Sequence, residues 1–334
     1  MYQPAFKTSV RATRLLEQIA ERRERIRNSL VRVPWVPSLA ADAMARQAWG
    51  STAIEGCTLS LEAIQGLLKG KEAVGYPDRH IRMAVNYLKA LAWIQKKEKV
   101  KRLGEKDLFH LHKIIGEEAL DEGPIGSYRK VDVRAGLHVA PPWEKVPELT
   151  RDLFKWLEKE AAELPAVFSS AILHLRLAEI HPFRDGNGRV TRALATWELY
   201  HRGFDTLHVF ALDEVLQENR NLYIKNLQRV QVEGEDLGGW IEFVAEAFLE
   251  TLERVEKRIE ALSPLVETPL SLTIRQEKLL HLLRERGTMG IRDLERALRL
   301  TVPGVHYTMK PLLEAGLVKK LGSYKNTRYS LTTI

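Results

Sequence analysis

The residues richest in chemistry stand in one run, HPFRDGNGRVTR, at positions 181–192. His181 supplies an imidazole, the side chain whose ordinary pKa lets it take a proton from an attacking hydroxyl near neutral pH. Gly186, Asn187 and Gly188 allow the backbone to turn so that successive amides point into one concavity, just ahead of a helix whose N-terminus adds partial positive charge. Such a concavity binds anions. Arg189 and Arg192 are three apart, hence neighbours on one face of that helix's first turns, where two guanidinium forks can clamp phosphate oxygens. Asp185 sits just outside the turn, where a lone carboxylate beside phosphates would hold Mg²⁺ together with phosphate oxygens and water. Each residue also has an ordinary structural role: a packed histidine, a turn-forming aspartate, surface arginines. Their occurrence together, in this order, points to nucleotide phosphate chemistry. Other phosphate motifs do not compete: GLLKGK at 66–71 has one residue too few between its glycines for a P-loop, and Thr191 stands where a dinucleotide loop would place its third glycine.

Helices must position this run. Apolar spacing predicts them over about 11–31, 40–54, 60–69, 78–97, 105–119, 146–162 and 166–180, then from the motif to about Arg202, and over 213–231 and 237–262. Pro34 and Pro37 separate the first two, and Gly56 ends the second in the left-handed conformation that terminates helices. Between Gly123 and Pro142 the chain reads GPIGSYRKVDVRAGLHVAPP, where Val131 and Val133 alternate with polar neighbours, as in a short hairpin. The segment SPLVETPLSL reads as a linker. Beyond it, helical periods at about 273–286, 290–298 and 302–315 precede two strand-like runs joined around Gly322 to Asn326. That is the order of a winged helix-turn-helix, in which the helix starting near Val302 would enter a DNA major groove and Lys319, Lys320, Lys325 and Arg328 would meet phosphates. A protein-interaction module has the same shape.

Composition bounds the rest. At 334 residues, 45% hydrophobic and 28% charged, the chain can bury two or three cores, which excludes a mostly disordered or collagen-like molecule. No run approaches the roughly 20 apolar residues of a membrane span, and Met1 to Val10 lacks the apolar core of a secretory signal, so a cytoplasmic protein without membrane contact is expected. Cys57 stands alone, so no internal disulfide or multi-thiolate zinc site forms, and a small buried residue is expected. From Thr268 onward there are 12 basic and 5 acidic residues, which accounts for the whole net charge of +7. A neutral body with a basic appendix suggests a polyanion partner for the appendix only.

The run HPFRDGNGRVTR resembles the signature of Fic-domain proteins, HPFx(D/E)GNGRxxR, in full. The resemblance implies an all-helical bundle carrying a β-hairpin flap, with a small C-terminal winged helix as an accessory, and hence a mainly α fold. It also implies transfer of AMP from ATP, with Mg²⁺, to a Ser, Thr or Tyr hydroxyl of a target protein or of the chain itself. On these residues it makes His181 the general base, Asp185 the Mg²⁺ ligand, Gly186, Asn187 and Gly188 the anion hole, and Arg189 and Arg192 ligands of the outer phosphates. Val131 and Val133 look like flap residues that hold the target segment extended. The run STAIEGCTLS at 51–60 resembles the family's inhibitory helix, (S/T)xxxE(G/N), with Ser51, Glu55 and Gly56 in place. There Glu55 would pair with Arg192 where the γ phosphate would lie. Members often carry a YYxxL pattern lining the adenine pocket; here Tyr223-Ile224-x-x-Leu227 keeps only the first tyrosine. The implied organisation is an N-terminal helical region with the inhibitory helix (1–100), a Fic domain (101–262), a linker (263–272) and a winged helix-turn-helix domain (273–334). Removal of AMP by the same site, and a DNA-binding regulator with a nucleotide-sensing body, remain alternatives. The resemblance also leaves homodimerisation open.

Overall fold

The computed structural model describes residues 2–30, 36–100, 103–262, 273–314, 316–322 and 327–332. The linker at 263–272, Pro34 and Lys325 lie outside them. The chain is mainly helical. In order it forms α1 (Val10–Leu30), α2 (Val36–Ile54), α3 (Leu61–Leu68), α4 (Asp78–Lys96), α5 (Glu105–Gly116), the hairpin strands β1 (Arg134–Ala135) and β2 (His138–Val139), then α6 (Val146–Lys159), α7 (Ala166–Ile180), α8 (Asn187–His201), α9 (Leu212–Glu218), α10 (Arg220–Gln231) and α11 (Gly238–Leu262). It continues through α12 (Ile274–Arg286), β3 (Met289–Gly290), α13 (Ile291–Leu298), α14 (Val302–Glu314), β4 (Val318–Leu321) and β5 (Arg328–Leu331). Two compact units result: Met1–Arg23 with Ala40–Glu256, and Glu24–Leu39 with Lys257–Ile334. Among the described residues no helix is long and apolar enough to cross a membrane.

In the first unit, α7 and α8 are the central pair. Both are buried along nearly their whole length, α7 with apolar residues on most of its faces and α8 with a mixture of apolar and polar ones. The short connection between them, residues 181–186, makes them close-packed neighbours. Val167, Phe168, Ile172, Leu173, Leu175 and Leu177 of α7, and Val190, Leu194 and Trp197 of α8, fill the middle, each contributing about 1.5–3 kcal/mol of burial. Two buried serines of α7 are satisfied by α8: Ser169 Oγ donates to Glu198 Oε1 (2.6 Å) and Ser170 Oγ to Ala195 O (2.8 Å). Helices α4, α5 and α6 pack around this pair.

Three expectations need correction. Helix α2 starts at Val36, so Pro37 lies in its first turn, where a missing N–H breaks no helical bond. The helix expected over 213–231 is two, because Asn219 leaves helical geometry and turns its side-chain amide back to Val215 O (3.1 Å). The hairpin is shorter than expected, and Val131 and Val133 precede its strands. Only Val133 joins the pairing, accepting from Ala140 N at 3.2 Å.

The second unit has its own core of Leu279, Leu283, Met289, Leu294, Val305, Met309, Leu312, Val318 and Tyr329. Its sheet runs β3-β5-β4, all antiparallel, with Lys320 opposite Tyr329 and Leu321 opposite Arg328. Strand β3 has two residues, too few to show a period in sequence. Helix α12 opens with a capping box in which Thr273 and Gln276 satisfy each other's backbone N–H.

Candidate active site

Helix α7 ends at His181, which takes φ +50°, a left-handed conformation uncommon outside glycine. Its ring turns back so that Nδ1 lies 3.3 Å from Ala178 O. A carbonyl only accepts, so Nδ1 carries the proton and Nε2 keeps its lone pair. Burial pushes the His181 pKa down to about 4 against the opposing pull of the Ala178 carbonyl, so the ring is neutral at pH 7. It is therefore a weaker base than an ordinary imidazole, but one that is always unprotonated.

The loop that follows is closed by side chains. Phe183 N–H donates to Asn187 Oδ1 (2.8 Å), and Asn187 Nδ2 donates to Phe183 O (2.9 Å), a reciprocal pair across the turn. Beneath it His112 stacks on Phe183 at 3.7 Å between ring centres. Gly126 N–H donates to His112 Nδ1 (2.8 Å), which leaves Nε2 to donate to Asp185 O (3.0 Å). Gly186, at φ +79°, precedes α8, and a β-carbon there would press on Leu120 at 3.0 Å. The first amides of α8 are thus held open toward one concavity.

An anion already faces it. The Glu55 carboxylate stands so close to Gly188 that a β-carbon at that position would overlap Glu55 Oε1. The same oxygen accepts from Arg192 Nη2 at 2.7 Å. Arg192 is 2% exposed and has further bonds from Nε to Ser51 Oγ (2.8 Å) and from Nη2 to Ser51 O (2.8 Å). Burial alone would lower its pKa; Glu55, with Tyr223 and Asp213, outweighs that and holds the guanidinium charged. Gly56, at φ +86°, turns the chain after α2 and leaves Glu55 at the helix end with 35% of its side chain exposed. Arg189 is different. It is equally buried, yet its Nε and Nη1 have no hydrogen-bond partner, and its nearest ion pair is Asp185 at 3.6 Å from Nη2. Two desolvated donors without an acceptor are expensive, and an anionic ligand is the group that would satisfy them.

Asp185 accepts from the N–H of Gly186 and from that of Asp121 (2.8 Å). Among the described residues no group of three or more His, Cys, Asp or Glu side chains gathers to hold a metal ion. A single partly exposed carboxylate fits Mg²⁺ only when phosphate oxygens complete the shell, which is how that ion usually binds beside nucleotides.

The structure brings His181, Asp185, Gly186, Asn187, Gly188, Arg189, Arg192, Ser51 and Glu55 together. Tyr223 lies within electrostatic reach of Arg192, but it is 3% exposed and its hydroxyl meets His174 Nε2 at 2.9 Å, so it supports the arginine from inside the core. Val131 is exposed beside the hairpin. Five further residues had no signal in the sequence. His112 braces the loop, and Asp213, with Tyr87 OH at 2.9 Å, lies 3.9 Å from Arg192. Arg129 and His138 tie the hairpin to α7: His138 Nε2 meets Glu179 O at 2.8 Å, and Arg129 Nε donates to His181 O at 2.8 Å. None carries a sequence signal; each looks like an isolated polar residue until the fold assembles it.

Residues 102–199 match the Fic/DOC family. The protein adenylyltransferase Fic of Drosophila yakuba is 30% identical over 212 residues, which cover 61% of this chain and 40% of the fly protein. That of Culex quinquefasciatus is 29% identical over 221 residues, covering 64% and 41%. The chain thus spans about two fifths of the length of these curated relatives. A Fic family protein from Desulfovibrio desulfuricans G20 superposes with a TM-score of 0.66 at 26% identity, covering 99% of this chain and 98% of that one. Fic-1 from C. elegans shares the fold at a TM-score of 0.60 and 23% identity over 75% of this chain.

Proposed function

We propose that the chain is a protein adenylyltransferase of the Fic family that moves AMP from ATP to a Ser, Thr or Tyr hydroxyl of a target protein or of itself, and that Glu55 restrains it. The observation carrying this reading is the pair formed by the free Nε2 of His181 and the unpartnered buried donors of Arg189 at the mouth of α8. In the reaction, the α phosphate would rest against the amides of Gly186 to Gly188. His181 Nε2 takes the proton of the target hydroxyl as its oxygen bonds to the α phosphorus, and the bond to the β-phosphate oxygen breaks to release pyrophosphate. Arg189 and Arg192 neutralise the departing charge. Asp185 is the residue that would hold Mg²⁺, which when bound would supply further charge neutralisation. Positioning and electrostatics account for the rate, since the protein itself makes no bond to phosphorus. Glu55 occupies the place and the arginine that the outermost phosphate requires, so ATP would bind in an unproductive pose.

The test is incubation with Mg²⁺ and ATP labelled on the α phosphate. Label should transfer faster with Glu55→Gly than with the parent and should vanish with His181→Ala in that background; equal labelling of parent and Glu55→Gly removes the restraint from the account. Released AMP from a pre-modified target would instead favour the reverse reaction.

The second unit supports a separate reading as a DNA-binding winged helix. Its motivation is the exposed face of α14, with His306, Tyr307 and Lys310, together with the exposed Lys320 and Arg328 on β4 and β5. Salt-dependent binding to duplex DNA tests it.

A further inference from the structure

The last four carbonyls of α7's final turn all receive side-chain donors, and three of those donors come from the segment that carries the hairpin. Ala178 O takes His181 Nδ1 itself. Glu179 O takes His138 Nε2, Ile180 O takes Arg129 Nη2 at 3.4 Å, and His181 O takes Arg129 Nε. Helix C-termini leave such carbonyls without intrahelical partners, and a cation there is favoured by the helix dipole.

Arg129 does more than cap. It is 1% exposed, and the rest of its fork reaches the two ends of the hairpin segment, Nη1 to Val131 O (2.8 Å) and Nη2 to Pro141 O (2.6 Å). Its own backbone N–H donates to Pro182 O at 3.0 Å. The nearest carboxylate, Asp132, is 3.8 Å away and mostly exposed, so carbonyl oxygens rather than an ion pair solvate this buried charge. One guanidinium therefore binds the strained residue that carries the ring, the residue before it, and both flanks of the hairpin. A left-handed histidine persists only where its surroundings over-determine it, and Arg129 grips the carbonyls on both sides of that backbone.

We infer that Arg129 is a positioning residue that locks His181 and the hairpin into one rigid piece, so that a hydroxyl held along the hairpin is presented at a fixed distance from Nε2. The inference rests on the transferase reading for what the lock achieves, and on geometry alone for the lock. Arg129 touches no atom assigned to the nucleotide site, so its loss should separate chemistry from nucleotide binding.

The test uses the full chain with Glu55→Gly as parent. Three quantities are measured: ATP affinity, the rate of AMP transfer to the chain itself and to lysate proteins, and hydrogen exchange of amides 131–141 by mass spectrometry. Adding Arg129→Gln should leave ATP affinity within about threefold and lower the transfer rate on the order of 100-fold, the scale of a misplaced reacting group. Exchange across the hairpin should speed up at least roughly tenfold as it detaches from α7. Arg129→Lys keeps the charge but not the fork, and should behave more like Arg129→Gln than like the parent. Hairpin exchange unchanged in both variants would overturn the lock, as would equal losses of ATP affinity and rate. If Arg129→Gln does not fold, His138→Ala, which removes only the bond to Glu179 O, should still speed exchange over 134–139, and its failure to do so counts against the inference. A parent that binds no ATP or transfers no AMP would refute the transferase reading instead, while the exchange measurement still decides the lock.

Discussion

In the proposed reaction His181 would act as a base in a place that disfavours its charged form. Its pKa of about 4 against an ordinary 6.5 means that the ligand-free protein holds it neutral throughout the usual assay range. The transfer rate of Glu55→Gly should therefore stay flat between pH 8 and about pH 5, without the inflection near 6.5 that a solvated histidine would give; a fall in rate below about pH 6.5 would show the ring to be solvated. His181→Ala should cost a factor of about 100 or more in rate. At Glu55 the sign reverses. Glu55→Gly frees one N–H of Arg192 Nη2 and clears the space over Gly188, so labelling should rise, on the order of tenfold or more for about 1.4 kcal/mol of relieved competition. A titration of ATP against both proteins would check whether the gain lies in turnover.

At the scale of elements, the seat of α2 decides whether Glu55 reaches its arginine at all. Gly50 lets α2 approach the start of α9 so closely that a β-carbon would overlap the backbone of Asp213 and Glu214. Gly50→Ala should thus push the helices apart and destabilise the unit by about 1–3 kcal/mol. It should also carry Ser51 and Glu55 away from Arg192, so the melting temperature falls while basal labelling rises. Sequence periodicity made most helices of this unit legible, because burial on a repeating face is a local signal; the motif loop was legible because its glycines, asparagine and charges are consecutive. The sequence concealed what depends on distant segments meeting. The position of β3 and the tie from Arg129 to His181 are set by tertiary partners, and an arginine in SYRKV looks like any exposed charge until four carbonyls surround it. Val131 and Val133 show the converse: alternation suggested strand positions, yet both precede the strands and only Val133 contributes a hydrogen bond to the hairpin.

Over the whole molecule, buried histidines should make stability depend on acid. His112, His174 and His181 have folded pKa values of about 4, 3 and 4, burial being the first cause in each. Depressed values mean that their contribution is complete above about 6.5 and is lost as pH falls through the folded values, because the unfolded chain binds those protons first. Asp205 and Asp213, raised to about 6 by burial, act oppositely, stabilising most below the ordinary carboxylate range and losing that contribution as pH rises through 6. The three histidines outweigh the two aspartates, so the melting temperature should drop between pH 7 and pH 5, and His174→Gln should flatten the drop if the variant folds. The basic residues of the second unit carry a different prediction. Lys319→Glu with Lys320→Glu should weaken binding to any duplex sequence and lower the slope of log affinity against log salt by about one for each phosphate no longer neutralised. A salt slope that does not change would mean that β4 does not face DNA.

Arg192 makes two bonds to Ser51 that do not involve Glu55. Swinging the carboxylate into water would therefore leave the guanidinium tied to Ser51, at the cost of the charge-assisted bond between Glu55 and Arg192. Hardware of that sort is a throttle rather than a latch: the idle rate would follow the fraction of time the acid spends in solvent, and it would climb smoothly with warmth or with any rival anion, without remodelling a single helix.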